Sequence, residues 1–180
     1  MMLANEKNTT TVFSMKKVLI YTDGSSRGNP GPGGYGIVLL SGERKRELSG
    51  GFSRTTNNRM ELMAVIAGLE ALNRVCQVEV YSDSTYVINA MNKGWSLGWK
   101  AHGWAKKDKN PLKNADLWKR LYLASQKHEV SWIWVKGHAG NVYNECCDVL
   151  ATSAAQQEDL PADEYYLTSE AGDSDLFSET

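Results

Sequence analysis

Four consecutive apolar residues, Val18-Leu19-Ile20-Tyr21, run without a break into Thr22-Asp23-Gly24-Ser25, and few folds accommodate that join. An uninterrupted β-favouring run is the pattern of a strand covered on both faces. Its downstream end delivers the carboxylate of Asp23 out of the middle of a core. A lone charge in that position is costly, so Asp23 requires a cation, a metal or a dense set of donors. Three further acids, Glu61, Asp83 and Asp148, lie far downstream, each where a fold can return it to the same point. The expectation from these residues is that all four hold divalent metal.

The chain around this strand alternates between two periods. Residues 25–34 read as a glycine- and proline-rich turn. Residues 35–40 and 44–52, separated by Ser41-Gly42-Glu43, then complete a three-stranded antiparallel meander. Residues 58–74 switch to helical period, with Leu62, Val65, Ile66, Leu69 and Leu72 on one face. A strand at 77–82, helices at 84–92 and 113–127, a strand at 129–135 and a helix at 142–155 follow. This pattern predicts an α/β fold, a five-stranded mixed sheet with helices on its faces. If the first and fourth strands are parallel neighbours, Asp23 and Asp83 both open into the crevice where such sheets bind ligands.

Each acid also has a plainer explanation. Asp23-Gly24 suits an ordinary turn, Asn58 to Glu61 has capping-box spacing, Asp83 suits a helix N-cap, and Asp148 suits a solvated helix face. Gathering four carboxylates changes the balance, because two of them about 4 Å apart repel by roughly 4 kcal/mol at an effective dielectric near 20. A divalent cation removes that repulsion.

Charge is divided along the chain. Residues 156–180 carry eight acids and no Lys or Arg, so the net charge of −1 leaves +7 on residues 1–155. A basic body suits a polyanionic partner. The organisation expected is an N-terminal extension over 1–15, with Met15 as an alternative start, a domain over 16–155, and a mobile acidic tail over 156–180. The three cysteines, Cys76, Cys146 and Cys147, offer no C-x-x-C pair, so free thiols and a cytoplasmic location are expected. No apolar run reaches membrane-spanning length, so no membrane partner is expected.

Thr22-Asp23-Gly24-Ser25, the run from Gly28 to Gly36, Thr55-Thr56-Asn57-Asn58-Arg59-Met60-Glu61-Leu62 and Ser82-Asp83-Ser84 together resemble type 1 ribonuclease H in its bacterial form. So do Val135-Lys136-Gly137-His138-Ala139-Gly140 and Asn144-Glu145, with Asp148 following in register. The resemblance covers residues 16–155 and leaves both ends of the chain outside it. It implies the ribonuclease H-like fold, with helices on both sheet faces. The activity implied is endonucleolytic hydrolysis of the RNA strand of an RNA–DNA hybrid by a monomer, leaving 5′-phosphate and 3′-hydroxyl ends.

Asp23, Glu61, Asp83 and Asp148 match that family's metal-binding carboxylates, and His138 matches its catalytic histidine. The resemblance implies a two-metal mechanism in which Asp23 bridges both ions, Asp148 serves the nucleophile side, and Glu61 with Asp83 holds the other ion. An all-oxygen ligand set selects hard cations, so Mg²⁺ is expected, with Mn²⁺ as a substitute. Asn29, Asn57 and Asn58 match positions in contact with the hybrid, where amides can read 2′-hydroxyls. Arg54, Thr56 and Asn114 match a pocket for a phosphate of the DNA strand. Thr85 stands where the family usually carries a longer amide, which removes one groove contact.

Residues 92–114 resemble the family's basic protrusion. They hold Lys93, Lys100, Lys106, Lys107, Lys109 and Lys113 among Trp95, Trp99 and Trp104. Most of these tryptophans are expected to pack on the body, and the lysines, Lys100, Lys106 and Lys107 among them, to grip the substrate backbone.

Overall fold

The computed structural model describes residues 15–108 and 111–175. Strands β1 (Lys16–Ser26), β2 (Gly31–Ser41) and β3 (Arg44–Thr55) form an antiparallel meander. Helix α1 (Asn57–Glu70) then crosses to β4 (Cys76–Ser82), which pairs parallel to β1. Helices α2 (Thr85–Asn92), α3 (Trp95–Ala101) and α4 (Ala115–Ser125) lead to β5 (Glu129–Trp134), parallel to β4. Helices α5 (Val142–Ala154) and α6 (Glu164–Asp175) follow. The sheet order β3-β2-β1-β4-β5 places β1 at the centre of the expected five-stranded mixed sheet.

The continuous apolar run of β1 serves both faces because successive side chains alternate. Ile20 joins Ile37, Met60, Leu62, Ile66 and Leu121 in the larger core, whereas Tyr21 joins Val38 and Cys147 beneath α5. Helix α1 lies between the sheet and α4, and is buried on nearly every side from Met60 to Leu69. Each fully buried Leu, Ile or Met there contributes about 1.5–3 kcal/mol.

Three local expectations change. Residues 25–34 are mostly strand: only 27–30 make the turn, with a cis Asn29–Pro30 bond, and β2 begins at Gly31. The glycines serve packing, since a Cβ on Gly34 or Gly36 would collide with the α5 backbone at Ala151 or Cys147. Helix α1 starts one residue early and stops at Glu70, with Thr56 as its N-cap, the hydroxyl accepting from the Arg59 N–H at 3.4 Å. Leu72, read as part of that helix, packs on the core from the loop beyond it.

The largest change is at the C-terminal end, where residues 161–169 of the expected mobile tail contact the body. Ser53 N–H donates to the Pro161 carbonyl at 2.9 Å, on the outer strand of the sheet. Asp163 is 5% exposed and accepts from Thr55 Oγ1 (2.7 Å), Arg59 Nε (2.6 Å) and Arg59 Nη2 (2.8 Å). Arg59 is itself buried and reaches Asp116 through Nη1 at 3.0 Å and through the shared Nη2 at 2.8 Å. Burial opposes its charge, but the two carboxylates outweigh that cost and raise its pKa. The docking therefore follows from a buried guanidinium that takes a carboxylate on each side. The expected N-terminal extension, apart from Met15, and residues 176–180 lie outside the described residues.

Candidate active site

Asp23 follows the last parallel pair of β1 and β4, Thr22 with Ser82, and Asp83 follows the same pair on β4. The two carboxylates thus leave adjacent strands at the same level. Glu61 is brought beside them because Gly24 has no side chain: a Cβ there would collide with the backbone of Met60 and Glu61. Asp148 sits on α5 next to fully buried Cys147, on the helix that packs across β2 and β1. The four expected acids therefore surround one crevice.

Their electrostatics show the crowding. Asp23 has its pKa raised to about 7, first by burial and then by Asp83, with Asp148 and Glu61 adding to the effect. Only the Gly24 N–H, donating to Asp23 Oδ1 at 2.7 Å, works in the other direction. Glu61 is also raised, chiefly by burial, while the Ser84 hydroxyl and the Asn57 amide favour its charged form.

The plainer explanations of Asp23, Glu61 and Asp83 fail on position. Ser84, not Asp83, caps α2, its hydroxyl accepting from Val87 N–H at 3.3 Å. Thr56 caps α1, and Glu61 stands beyond the first turn rather than in it. Gly24 is a close approach between β1 and α1 and lies within the strand, not in a turn.

Several supporting groups were not anticipated. Asn57 Nδ2 donates to Glu61 Oε1 at 2.9 Å, and Ser84 Oγ donates to Glu61 Oε2, so both oxygens of that carboxylate are held. The spacing of Asn57 and Glu61, four residues on one helix, was the available signal for the first. Asn144, buried on α5, donates to Asp83 Oδ2 at 3.4 Å, and its own Oδ1 has no protein partner. Trp134 Nε1 donates to the Asp83 carbonyl at 3.0 Å, and Gly137 lies so close that a Cβ would press on the Asp83 carboxylate. Apart from the Asn57–Glu61 pair, these contacts join residues far apart in the chain, and no local pattern encodes them.

His138 is exposed on the loop between β5 and α5, with φ of 50°. Asn29 accepts from the Asn57 N–H at 3.3 Å, which ties the β1–β2 turn to the start of α1 and sets the three expected groove residues Asn29, Asn57 and Asn58 side by side. Asn114, with φ of 60°, donates to the Tyr86 hydroxyl at 3.2 Å and accepts from Arg59 at 3.4 Å. Asn114 and Thr56 line one cleft, while Arg54 is exposed on the last turn of β3. In the basic segment Trp99 packs on Trp118 and Trp104 on Tyr122, as expected, but Trp95 stays 46% exposed. Lys106 and Lys107 are exposed. Lys100 folds back, its Nζ 3.0 Å from the Tyr122 hydroxyl. Lys109 lies outside the described residues.

Among the described residues, no three His, Cys, Asp or Glu side chains are close enough together to hold a metal ion by themselves. The donor chemistry nonetheless fits a hard one. Four carboxylates share a crevice in which Asp23 resists ionisation, and the unpartnered Asn144 oxygen lies next to Asp83. Mg²⁺ keeps several waters and is held by one or two carboxylates plus substrate phosphates rather than by an all-protein cage.

The ribonuclease H family model, described as RNase H, matches residues 15–156. The Ribonuclease H of Syntrophus aciditrophicus is 56% identical over 151 residues, covering 84% of this chain and 87% of the relative. The Ribonuclease HI of Caulobacter vibrioides is 56% identical over 141 residues, covering 78% and 94%. Among solved structures, LC9-RNase H1, a type 1 RNase H with the type 2 active-site motif, superposes with a TM-score of 0.71 at 32% identity, over 79% of this chain and 73% of that one. LC11-RNase H1 in complex with RNA/DNA hybrid gives 0.59 at 26% identity, over 77% and 96%. With its sheet order, its four converging carboxylates and these relatives, the chain belongs to the ribonuclease H family.

Proposed function

We infer that this chain is an endonuclease that hydrolyses the RNA strand of RNA–DNA hybrids, leaving 5′-phosphate and 3′-hydroxyl ends. One observation carries the reading: Asp23, at the carboxyl end of the central strand, meets Glu61, Asp83 and Asp148 in a single crevice. Asp23, Glu61, Asp83 and Asp148 would hold two Mg²⁺ ions, or Mn²⁺ in their place, which would supply the activated water and the charge neutralisation that in-line displacement at phosphorus needs.

The chain's own residues divide the remaining work. Asn57 and Ser84 fix the direction of Glu61, and Asn144 that of Asp83. His138, exposed on its loop, moves protons and assists product departure, as suits an imidazole. Asn29, Asn57 and Asn58 read 2′-hydroxyls. Asn57 has one N–H committed to Glu61, which leaves its carbonyl oxygen to accept from the sugar. Arg54, Thr56 and Asn114 seat a phosphate of the DNA strand, and Lys106 and Lys107 neutralise backbone charge, joined by Lys100 when it swings away from Tyr122. The enzyme acts as a cytoplasmic monomer in this reading.

The test is incubation with labelled hybrid, RNA duplex and DNA duplex, with and without Mg²⁺. Cleavage confined to the RNA strand of the hybrid, and only with metal, is the expected result. Cleavage of the DNA duplex, or none of the hybrid, overturns it.

A further inference from the structure

Helix α6 builds a wall that the hydrolytic crevice does not use. A cleft of about 560 Å³ is lined by Thr56, Asn58 and Asn114 together with Tyr165, Tyr166 and Ser169 of α6. Tyr165 and Ser169 are four residues apart and Tyr166 and Ser169 three, so the three hydroxyls share one helix face. The volume lies in the range of sites that take small ligands, enough for a phosphate with its sugar.

This wall is held in place. The Asp163 carbonyl accepts from Leu167 N–H at 3.0 Å, and its carboxylate accepts from Tyr166 N–H at 3.4 Å while clasped by Thr55 and Arg59. The Arg59 guanidinium lies 5.5 Å from the Tyr165 ring centre and 5.9 Å from that of Tyr166. The rings are therefore fixed relative to Thr56, three residues before Arg59 at the head of α1.

We propose that the Tyr165–Tyr166–Ser169 face is a second contact for the DNA-strand backbone, adjoining the phosphate seat at Thr56 and Asn114. It rests on the hybrid-cleaving function above and extends that groove beyond the part matched by the family model, which ends at residue 156. Phenol hydroxyls donate to phosphate oxygens and aromatic faces pack on sugars, without reading the bases, and the Ser169 hydroxyl joins them by turning from the Tyr166 carbonyl to which it donates at 2.8 Å. The charge pattern of α6 agrees with contact through neutral groups. Its sequence holds Glu164, Glu170, Asp173 and Asp175 and no Lys or Arg, so α6 itself offers a polyanion no cation; the side chains it adds to the cleft are the hydroxyls of Tyr165, Tyr166 and Ser169, and the cations of the lining, Arg59 and Lys113, come from other parts of the chain. A neutral contact releases no counterions, so it adds affinity without adding salt dependence.

The experiment measures hybrid binding to the full chain by anisotropy, without divalent metal, across a salt series. Tyr165 is 48% exposed, so Tyr165→Ala spares the core, and Tyr165→Phe removes only the hydroxyl. Tyr165→Ala is expected to weaken binding about three- to tenfold, and Tyr165→Phe or Ser169→Ala about twofold, with the salt slope unchanged. Shortening the DNA strand one nucleotide at a time should cost the wild type affinity at a step that costs Tyr165→Ala nothing. Unchanged or tighter binding in all three variants overturns the proposal, as does a weakening that comes with a lower salt slope. These outcomes are separate from the functional reading, which stands or falls on whether the wild-type chain cleaves hybrid in Mg²⁺.

Discussion

Asp23 and His138 stand at opposite ends of a range of constraint, and their substitutions separate accordingly. Asp23 is built into the central strand among three other acids, so Asp23→Asn is expected to nearly abolish turnover. His138 is exposed on a loop, so His138→Ala should slow the enzyme about a hundredfold and leave measurable activity. Initial rates on labelled hybrid in Mg²⁺ compare the two, and equal losses would contradict the division of roles. Asp23 also ties stability to pH when metal is absent. Its folded pKa of about 7 is above the ordinary 3.8, so between those values the native state holds a proton that the unfolded state has lost. Stability of the metal-free protein therefore falls as pH rises from about 4 to about 7, and stays lower above that. Asp23→Asn removes this penalty. Partial solvent contact limits the gain to about 1 kcal/mol, a melting temperature about 2–4 °C higher at pH 8 in chelator. A variant that melts lower than wild type there would refute the account. The convergence of the acids was legible because each lies on or just past an element whose type the sequence declares. Ser84 and Asn144 were not, because their partners lie 23 and 61 residues away.

At the scale of elements, two junctions govern where the acids meet. Gly24 lets α1 lie against β1, so Gly24→Ala forces the Met60–Glu61 backbone outward. A loss of about 1–3 kcal/mol and of most activity is expected, read by urea denaturation and by cleavage rate. Preserved activity would mean that Glu61 does not depend on that approach. The other junction is the clasp of Arg59. Asp163→Ala leaves the buried guanidinium with Asp116 as its one carboxylate among the described residues, and should cost about 3 kcal/mol in the same denaturation experiment. Strand β1, the meander and the alternation that follows were readable from period alone. The stretch from Gly31 to Gly36 was not, because glycine marks turns and tight sheet–helix contacts alike, and only the position of α5 decides between them. Helix α6 was hidden for a different reason. Tyr165, Tyr166 and Leu167 are adjacent rather than periodic, and the anchoring Asp163 is one of eight acids that a charge count cannot tell apart.

For the molecule as a whole, the separation of a +7 body from an acidic end sets how it meets a polyanion. If about three phosphates are neutralised by the basic segment, hybrid affinity should fall roughly tenfold to a hundredfold between 50 and 200 mM salt. A flat response would remove the exposed Lys106 and Lys107 from the binding surface. The Arg59 clasp has a temporal side as well. During synthesis Arg59 emerges 57 residues ahead of Asp116 and 104 ahead of Asp163. Until the ribosome has passed that last aspartate, the guanidinium has Asp116 as its one carboxylate partner among the described residues, and the clasp stays open on its other side. A nascent chain stalled just short of residue 163 should yield to protease where the released polypeptide resists.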